Sequence, residues 1–319
     1  KAIASFYPEW FKYGGGIVSK NVLCYGDFPE IANDWSEKSL QMPSGAIIDG
    51  KLDEVHPVNL RDPEEIQEFA DHSWYKYPEG KKGLHPWDGV TEQAYSLPPG
   101  SDGTKTKFAW LGDAGKYSWI KSPRWKGHMM EVGPLARLVL SVAKDVKHFK
   151  EPALALLKEL NLPLEAVFST LGRHAARALE CQWTAHKMVQ YVDDLTANIK
   201  AGDEAAANME FWDPKTWPKE CKGVGFCEAP RGALGHWCVI KDTRLANWQA
   251  IVPTTWNASP RAEDGQQGAF ETSLMGTPVA DPERPLEILR TIHSFDPCLA
   301  CATHLYNPDG EELCSVRVR

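Results

Sequence analysis

The sequence predicts an α+β fold in which a bundle of long helices forms the core and smaller β-rich segments surround it. Apolar side chains recur at three- and four-residue steps over residues 164–199, which is the pattern of one face of a long helix. A second run with the same period covers residues 132–149. Residues 223–256 instead carry strand-forming side chains on both sides of a turn at 242–244, which predicts an antiparallel hairpin.

The first 125 residues contain signals for short elements only. They are rich in glycine, proline and aromatic residues, and runs such as 46–48 predict strands. The glycines at 14–16 and the segment 98–105 predict turns or loops. Asp62 followed by Pro63 predicts the start of a helix, because proline fits the first helical position.

The helical part begins after Gly133 and Pro134. The longer of its two patterns spans roughly 50 Å at the helical rise per residue, a length typical of helices that pack in bundles. Pro214 and Pro218 place a loop after it, and a short helix is predicted after Pro285.

The composition is that of a folded protein with a large apolar interior. Hydrophobic residues make up 43% of the 319 residues and charged residues 24%, which excludes a disordered chain. The length suits two domains or one large domain. Thirteen tryptophans indicate an extensive core, an extensive interface, or both.

Charge and hydropathy disfavour two classes of partner contact. The net charge is −8 and the basic residues are dispersed, so a nucleic-acid partner is not expected. No apolar run reaches the roughly 20 residues needed to cross a bilayer. The longest, at 135–143, is interrupted by Arg137.

The segment DPCLACATH at 296–304 carries the sharpest chemical signal. Cys298 and Cys301 are three residues apart, so both sulfurs can reach one metal, and His304 adds a third ligand type. Asp296 could orient such a ligand or relay a proton. A redox-active pair or a chance spacing remains an alternative, because a zinc site needs further ligands.

Two further motifs contain candidate hydrogen-bond donors. In EAPRGALGHW at 228–237, Arg231 lies between proline and glycine, which suits a guanidinium directed at a closely approaching ligand. An ordinary arginine in a turn is the alternative. In VPTTWNASPR at 252–261, Pro253 and Thr254 place a hydroxyl at a fixed turn, which alone is a weak signal.

Together these motifs resemble the C-terminal half of the large subunit of nickel–iron hydrogenases, of the membrane-bound uptake type. The resemblance extends over essentially the whole chain. It is carried by five blocks in the same order: GHMMEVGPLAR (127–137), GVGFCEAPRGALGHW (223–237), QAIVPTTWNASPR (249–261), GAFETSLMGTPV (268–279) and EILRTIHSFDPCLACATH (287–304).

The resemblance implies a nickel–iron centre whose iron carries carbon monoxide and cyanide. Nickel is held in this family by four thiolates, of which Cys298 resembles a terminal ligand and Cys301 a bridging one. His304 and the backbone carbonyl of Ala250 resemble ligands of a nearby magnesium or similar divalent metal. The other two thiolates belong to an amino-terminal block that is expected to precede Lys1.

The resemblance also assigns roles around the metals. Arg231 and Pro230 resemble the canopy over the open nickel–iron position, Asp296 resembles the carboxylate that holds Arg231, and Cys298 resembles a proton acceptor. Thr254 and Arg231 are expected to donate hydrogen bonds to the cyanides. The residues expected to surround the diatomic ligands are Pro230, Leu234, Val252, Pro253 and Thr254.

The implied domain organisation is one partial large-subunit domain at 1–304 followed by a maturation peptide at 305–319. In the family such a tail is removed after the histidine by an endopeptidase, so this sequence resembles the precursor. A C-terminal hairpin turning at 307–310 is the plainer interpretation of the tail.

The expected activity is reversible heterolytic cleavage of dihydrogen to protons and electrons. The implied partners are an iron–sulfur small subunit and a cytochrome b-type membrane anchor that passes electrons to quinone, on the periplasmic face, with export by the small subunit's signal. The alternatives are a hydrogen sensor, an inactive fragment lacking half of the nickel ligands, the quinone-reducing subunit of respiratory complex I, and a zinc-binding structural module.

Several other residues receive plainer predictions. Cys181 is expected to be a core thiol, and His174 and His186 to be packed or interfacial and not ligands. His128 could lie near an iron–sulfur cluster of a partner. Four tryptophans are expected in the core or at a subunit interface: Trp119 and Trp125 in GKYSWIKSPRW (115–125), which also resembles the family, and Trp237 and Trp256 in the five blocks.

Overall fold

Helices from the middle of the chain form the core of the structure, a computed structural model that describes residues 3, 7–16, 18–31, 34–78, 83–93, 116–207, 209 and 212–297, and the backbone of 302–306 and 312–317. The α-helices are α1 (Pro134–Ala143), α2 (Lys147–Glu159), α3 (Thr170–Lys200), α4 (Pro253–Asn257), α5 (Ala269–Leu274) and α6 (Leu286–Ser294). Single 3₁₀ turns cover Pro8–Phe11, Val18–Lys20, Leu164–Val167 and Pro214–Thr216.

The strands pair in separate antiparallel sheets. In chain order they are β1 (Val22–Pro29), β2 (Leu40–Ile47), β3 (Ile66–Phe69), β4 (Tyr75–Lys76), β5 (Gly83–Leu84), β6 (Glu92–Gln93), β7 (Ser122–Trp125), β8 (Glu220–Ala229), β9 (Gly232–Lys241), β10 (Arg244–Ile251), β11 (Ala302–Tyr306) and β12 (Glu312–Arg317). The sheet orders are β1-β2, β5-β3-β7, β4-β6, β10-β9-β8 and β11-β12. The α+β prediction is confirmed.

The core forms where α1, α2 and the first half of α3 pack against the β1-β2 hairpin. All but two residues of α1 are buried, because this helix lies between the hairpin and α3. The single helix predicted over 132–149 is wrong. Asp145 adopts a left-handed conformation (φ 57°), which ends α1 and redirects the chain into α2.

The long helix α3 begins later than the periodicity predicts. A 3₁₀ turn covers Leu164–Val167, and Ser169 then caps α3 by accepting a hydrogen bond from the backbone N–H of Gly172 at 3.0 Å. Beyond Trp183 the helix leaves the core, and its apolar residues there are exposed. Cys181 lies at this exit and is exposed, so the prediction of a core thiol is wrong.

Gly172 sits where α3 passes the preceding turn. A Cβ added there would lie 1.9 Å from the carbonyl oxygen of Val167. We therefore expect Gly172→Ala to lower the free energy of unfolding by about 1–3 kcal/mol, although alanine favours helices by about 1 kcal/mol over glycine. Chemical denaturation of the protein measures this.

The matched control for that substitution is Gly225→Ala. Gly225 lies in β8, and an added Cβ there would meet no atom within 4 Å. We expect this variant to be as stable as the wild type or slightly more so. A stabilising Gly172→Ala would contradict the steric argument.

The helix predicted after Asp62 and Pro63 is also wrong. Asp62 does cap a turn, accepting from the N–H of Glu64 at 2.9 Å, but the chain then continues as β3. Ile66 is fully buried and pairs with Trp125 of β7. This pairing with a strand more than fifty residues away overrides the local helix-start signal.

The remaining elements agree with the sequence patterns. Strands β9 and β10 form the predicted hairpin and α6 is the predicted short helix. The backbone pairing of β11 with β12 agrees with the plainer hairpin interpretation of the tail, although the turn itself lies outside the described residues. No described helix combines the length and hydropathy that a membrane span requires.

Three of these four predicted tryptophans belong to one core cluster. Trp125, Trp237 and Trp256 are at most 3% exposed and pack with residues of β1, β3 and β9. Trp119 is 46% exposed and stands against Trp74 at a ring-centroid distance of 4.5 Å. The core prediction is therefore confirmed for three of these residues.

Candidate active site

Arg231 lies in the tight connection between β8 and β9. This connection contacts the start of α1. Gly232, the first residue of β9, and Gly133, which precedes α1, both adopt positive φ angles. A Cβ on Gly232 would lie 2.6 Å from the backbone nitrogen of Gly133, and one on Gly133 would lie 2.7 Å from the carbonyl oxygen of Arg231. Glycine at both positions thus lets the Arg231 turn rest directly on the first turn of α1.

Asp296 reaches Arg231 from the end of α6. The Nε of Arg231 donates to the carbonyl oxygen of Asp296 at 2.8 Å and lies 3.4 Å from its Oδ2. Asp296 has a φ of 56°, and its N–H donates to the carbonyl of His293 at 2.9 Å, which ends the helix. The structure thus brings together the two residues that were predicted to pair across 65 positions.

The guanidinium of Arg231 has N–H donors that its contact with Asp296 does not use. Its side chain is 39% exposed, and within the described part of the chain its terminal nitrogens have no hydrogen-bond partner. Asp296 is immediately followed by Pro297 and Cys298. A cyanide or other anionic acceptor held by the cysteine segment could therefore accept hydrogen bonds from these N–H groups. In this respect Arg231 fits the nickel–iron centre that the sequence implies.

The Val252–Thr254 segment lies at the same end of the β9-β10 hairpin. β10 ends at Ile251, which pairs with Gly235, and the helix that begins at Pro253 packs against β9. Pro253 is the first residue of α4, and both Pro253 and Thr254 are buried. Leu234 is half-buried. Leu234, Val252, Pro253 and Thr254 thus lie at the end of the hairpin at which β9 begins after Arg231, and Val252 is 39% exposed.

The remaining predicted ligands are placed only in part. Ala250 is half-buried in β10 and pairs with His236. His304 belongs to the described backbone of β11, whereas Cys298 and Cys301 lie outside the described residues. Among the described residues no group of three or more His, Cys, Asp or Glu side chains is arranged to hold a metal ion.

A buried polar cluster lies next to Ala250 in the sheet. Lys121 Nζ is 3.5 Å from both Glu68 Oε2 and the side-chain oxygen of Gln249, the neighbour of Ala250. Burial raises the pKa of Glu68, and the charge of Lys121 opposes that rise. The ammonium group of Lys121 supplies the positive charge of this cluster.

Sequence reasoning missed the buried charges beneath this site. Arg137 of α1 is 1% exposed and contacts two carboxylates, Glu180 of α3 and Glu228 of β8. Arg173 of α3 is 2% exposed and is held by both carboxylate oxygens of Glu131, at 2.7 and 2.9 Å. The available signal was a charged residue interrupting the apolar run at 135–143.

Arg173 ties the end of α6 to the core. Its guanidinium also donates to the carbonyl oxygen of Gly14 and, at 3.4 Å, to Ser294 Oγ, and it stacks on the Phe295 ring at 3.7 Å. Ser294 and Phe295 directly precede Asp296. Arg173 therefore supports the segment that presents Asp296 to Arg231.

Glu228 is the most perturbed carboxyl group of this network. Burial raises its pKa to about 7, while Arg137 and the backbone N–H of Tyr25 act in the opposite direction. The nearby carboxylate of Glu180 raises the pKa further. One guanidinium thus neutralises two buried carboxyl groups only in part.

Comparison with known proteins supports one family. A family model described as nickel-dependent hydrogenase matches residues 1–304. The chain is 62% identical over 318 residues to the uptake hydrogenase large subunit of Bradyrhizobium diazoefficiens and 53% identical to the hydrogenase-1 large chain of Escherichia coli K12. Each alignment covers all of this chain and 53% of the relative.

Solved structures show the same relationship. The nickel–iron–selenium hydrogenase from D. vulgaris Hildenborough in the reduced state superposes with a TM-score of 0.69 at 32% identity, over 93% of this chain and 55% of that one. A hydrogenase from Desulfomicrobium baculatum gives a TM-score of 0.68 at 30% identity, over 93% of this chain and 54% of that one. The chain thus spans about half the length of the relatives it matches, and it belongs to the nickel-dependent hydrogenase family.

Proposed function

We propose that this chain acts as the C-terminal part of the catalytic large subunit of a nickel–iron uptake hydrogenase that cleaves dihydrogen into protons and electrons. The carrying observation is the contact between Arg231 and Asp296, two residues before Cys298, in a chain whose residues 1–304 match the nickel-dependent hydrogenase family. Its relatives are named uptake hydrogenase large subunits.

The residues that would hold the metals are those of the last block and of β10. Cys298 and Cys301 would supply thiolates to a nickel–iron centre whose iron carries carbon monoxide and cyanide. His304 and the carbonyl of Ala250 would hold magnesium. When bound, the centre supplies a Lewis-acidic metal that polarises dihydrogen and accepts its electron pair.

The protein's own groups act on the proton and on the geometry. Cys298 Sγ takes up the proton as the bond of dihydrogen breaks. Arg231 places preorganised positive charge over the reacting position, and Asp296 keeps the guanidinium in that direction. Thr254 Oγ1 and the terminal nitrogens of Arg231 would be the hydrogen-bond donors to the cyanide ligands of a bound centre. Buried Pro253 and half-buried Leu234 would keep water away, which strengthens these interactions, whereas Pro230 and Val252 are exposed in this chain and would do so only once they are covered.

The proposal extends to partners and to processing. Because the relatives are named large subunits, a small subunit is implied, and electrons would leave through its iron–sulfur clusters to a cytochrome b-type anchor at the periplasmic face of the membrane. Residues 305–319 would be removed after His304 by a maturation endopeptidase. A hydrogen sensor would bind nickel without sustaining hydrogen uptake, and a zinc module would bind zinc alone.

Nickel content and processing test this function together. We expect the full-length large subunit, produced with its small subunit, to bind one nickel, to reduce a viologen dye with hydrogen, and to end at His304. In Cys301→Ser we expect nickel to fall at least about tenfold, because a hydroxyl is a poor ligand for a soft site. The tail should then remain, since nickel insertion precedes cleavage in the proposal.

The matched control is Cys181→Ser, which changes an exposed thiol of α3 that is not among the proposed metal ligands. Elemental analysis and intact-protein mass spectrometry should be unchanged in this variant. A nickel-loaded and processed Cys301→Ser protein would contradict the assignment. A wild-type protein that holds zinc without nickel would overturn the proposed function.

A further inference from the structure

We propose that Arg137 is a positioning residue that sets the direction of the Arg231 side chain. The inference rests on the proposed function, because it gives Arg231 its role above the metal centre. The two side chains need not touch for this to hold. Arg137 acts on the backbone that precedes Arg231.

The guanidinium of Arg137 uses its full donor capacity. Nε and one terminal nitrogen donate to the two oxygens of Glu180 at 2.6 and 2.8 Å. The other terminal nitrogen donates to Glu228 Oε2 at 2.9 Å. The two remaining hydrogens go to the carbonyl oxygens of Ala229 and Pro230, at 3.0 and 3.1 Å. An arginine has five N–H donors, and here each one has an acceptor.

Those two carbonyl groups determine the position of the Arg231 backbone. Each belongs to a peptide plane, and the plane that contains the Pro230 carbonyl also contains the backbone nitrogen of Arg231. The ring of Pro230 holds its own φ angle. Fixing both carbonyls therefore leaves the Arg231 backbone little freedom, and its side chain leaves the turn in one direction.

The surroundings hold Arg137 itself in place. Glu228 is tied to β1, because its Oε1 accepts from the N–H of Tyr25 at 2.7 Å and its own N–H donates to Asp27 Oδ2 at 2.7 Å. Glu180 belongs to α3. The guanidinium thus links α1, α3 and β8, and the glycine that precedes α1 lies against the carbonyl oxygen of Arg231.

Lysine cannot reproduce this arrangement. A lysine at 137 keeps the positive charge between the two carboxylates, but its donors all come from one nitrogen. It can satisfy the carboxylates or the carbonyls and not both. Arg137→Lys therefore keeps the buried positive charge but loses the hydrogen bonds that hold the Arg231 turn, so its effect reports on those hydrogen bonds.

The test uses the complete large subunit with its small subunit. For Arg137→Lys we expect kcat per bound nickel to fall by about tenfold or more, because small misplacements of reacting groups have large kinetic costs. KM for hydrogen should change by less than about twofold, since Arg231 acts on the transition state. A purely structural role would lower the nickel content and Tm but leave kcat per nickel unchanged.

The matched control is Arg124→Lys. Arg124 is a buried arginine paired with Asp71 at 2.5 Å on β7, and among the described residues it makes no hydrogen bond or ion pair with the Arg231 turn. We expect a similar drop in Tm and a kcat per nickel within about twofold of the wild type. An equal fall of kcat per nickel in both variants overturns the proposal, as does an Arg137→Lys value within about twofold of the wild type.

Hydrogen exchange provides a readout that is independent of turnover. In the metal-free large subunit, amides of residues 231–234 should exchange at least about tenfold faster in Arg137→Lys than in the wild type, and not in Arg124→Lys. If the wild type binds nickel but oxidises no hydrogen, the proposed function is wrong. The exchange rates at 231–234 still test whether Arg137 positions the Arg231 turn. Unchanged exchange in Arg137→Lys overturns the positioning.

Glu180→Gln is the milder second variant. It keeps Arg137 and one acceptor oxygen, and loses the charge that orients the guanidinium. If Arg137→Lys does not accumulate as folded protein, we expect Glu180→Gln to show roughly a threefold fall in kcat per nickel, equivalent to one weakened hydrogen bond. A wild-type value in this variant, with wild-type exchange at 231–234, overturns the proposal.

Discussion

Replacing Arg231 with lysine is expected to lower the hydrogen-oxidation rate per bound nickel by about two to three orders of magnitude, the usual cost of losing a preorganised donor at a reacting centre. Arginine holds Asp296 through Nε and still directs its terminal nitrogens elsewhere. Lysine keeps the charge, but its single nitrogen cannot do both. Dye reduction under hydrogen, normalised to nickel content, measures the effect.

The control for this substitution is Arg244→Lys. Arg244 is exposed in β10 at the opposite end of the hairpin from the Arg231 turn. Its replacement should leave both rate and nickel content unchanged. A rate for Arg231→Lys within about tenfold of the wild type would show that the guanidinium geometry is not used in the reaction, because a preorganised donor to the transition state contributes more than that.

Replacing Arg173 with methionine is expected to lower the free energy of unfolding by about 3–5 kcal/mol, because it leaves a buried carboxylate without its charged partner. Glu131 has a side chain only 1% exposed, and Arg173 is its charged partner at 2.7 Å. The same substitution releases Ser294 and the Phe295 ring, which precede Asp296. Chemical denaturation of the metal-free large subunit measures the loss.

A double variant separates the ion pair from the packing. In Arg173→Met with Glu131→Leu, no charge is left stranded, and we expect more than half of the lost stability to return. Equal losses in the single and double variants would mean that the buried pair is not the source of the effect. Nickel content is expected to follow stability in both proteins, because Arg173 supports the segment before the cysteines.

Local patterns predicted the elements that depend on local interactions. The helical period placed α3, Pro285 marked the start of α6, and the turn at 242–244 placed the β9-β10 hairpin, because each is specified by residues close in sequence. The failures have a common cause, which is that distant contacts outweighed a local pattern. Pairing of β3 with β7 overrode the helix-start signal at Asp62. The apolar helical period continues past Cys181, although α3 has left the core by that residue.

The sequence by itself determined the family, through five ordered blocks that run from 127 to 304, and it singled out Arg231, Asp296 and the cysteine pair as the candidate reactive groups. Motifs carry this information because chemistry requires particular residue types at particular spacings.

Only the tertiary structure decided how Arg231 is held. The contact with Asp296 joins residues 65 positions apart, and the carbonyls before Arg231 are held by Arg137, more than 90 positions away. Periodicity shows which face of a helix is apolar, but it cannot show which buried carboxylate meets a buried arginine. That choice depends on how α1, α3 and β8 pack, since a buried charge is tolerated only where its partners converge.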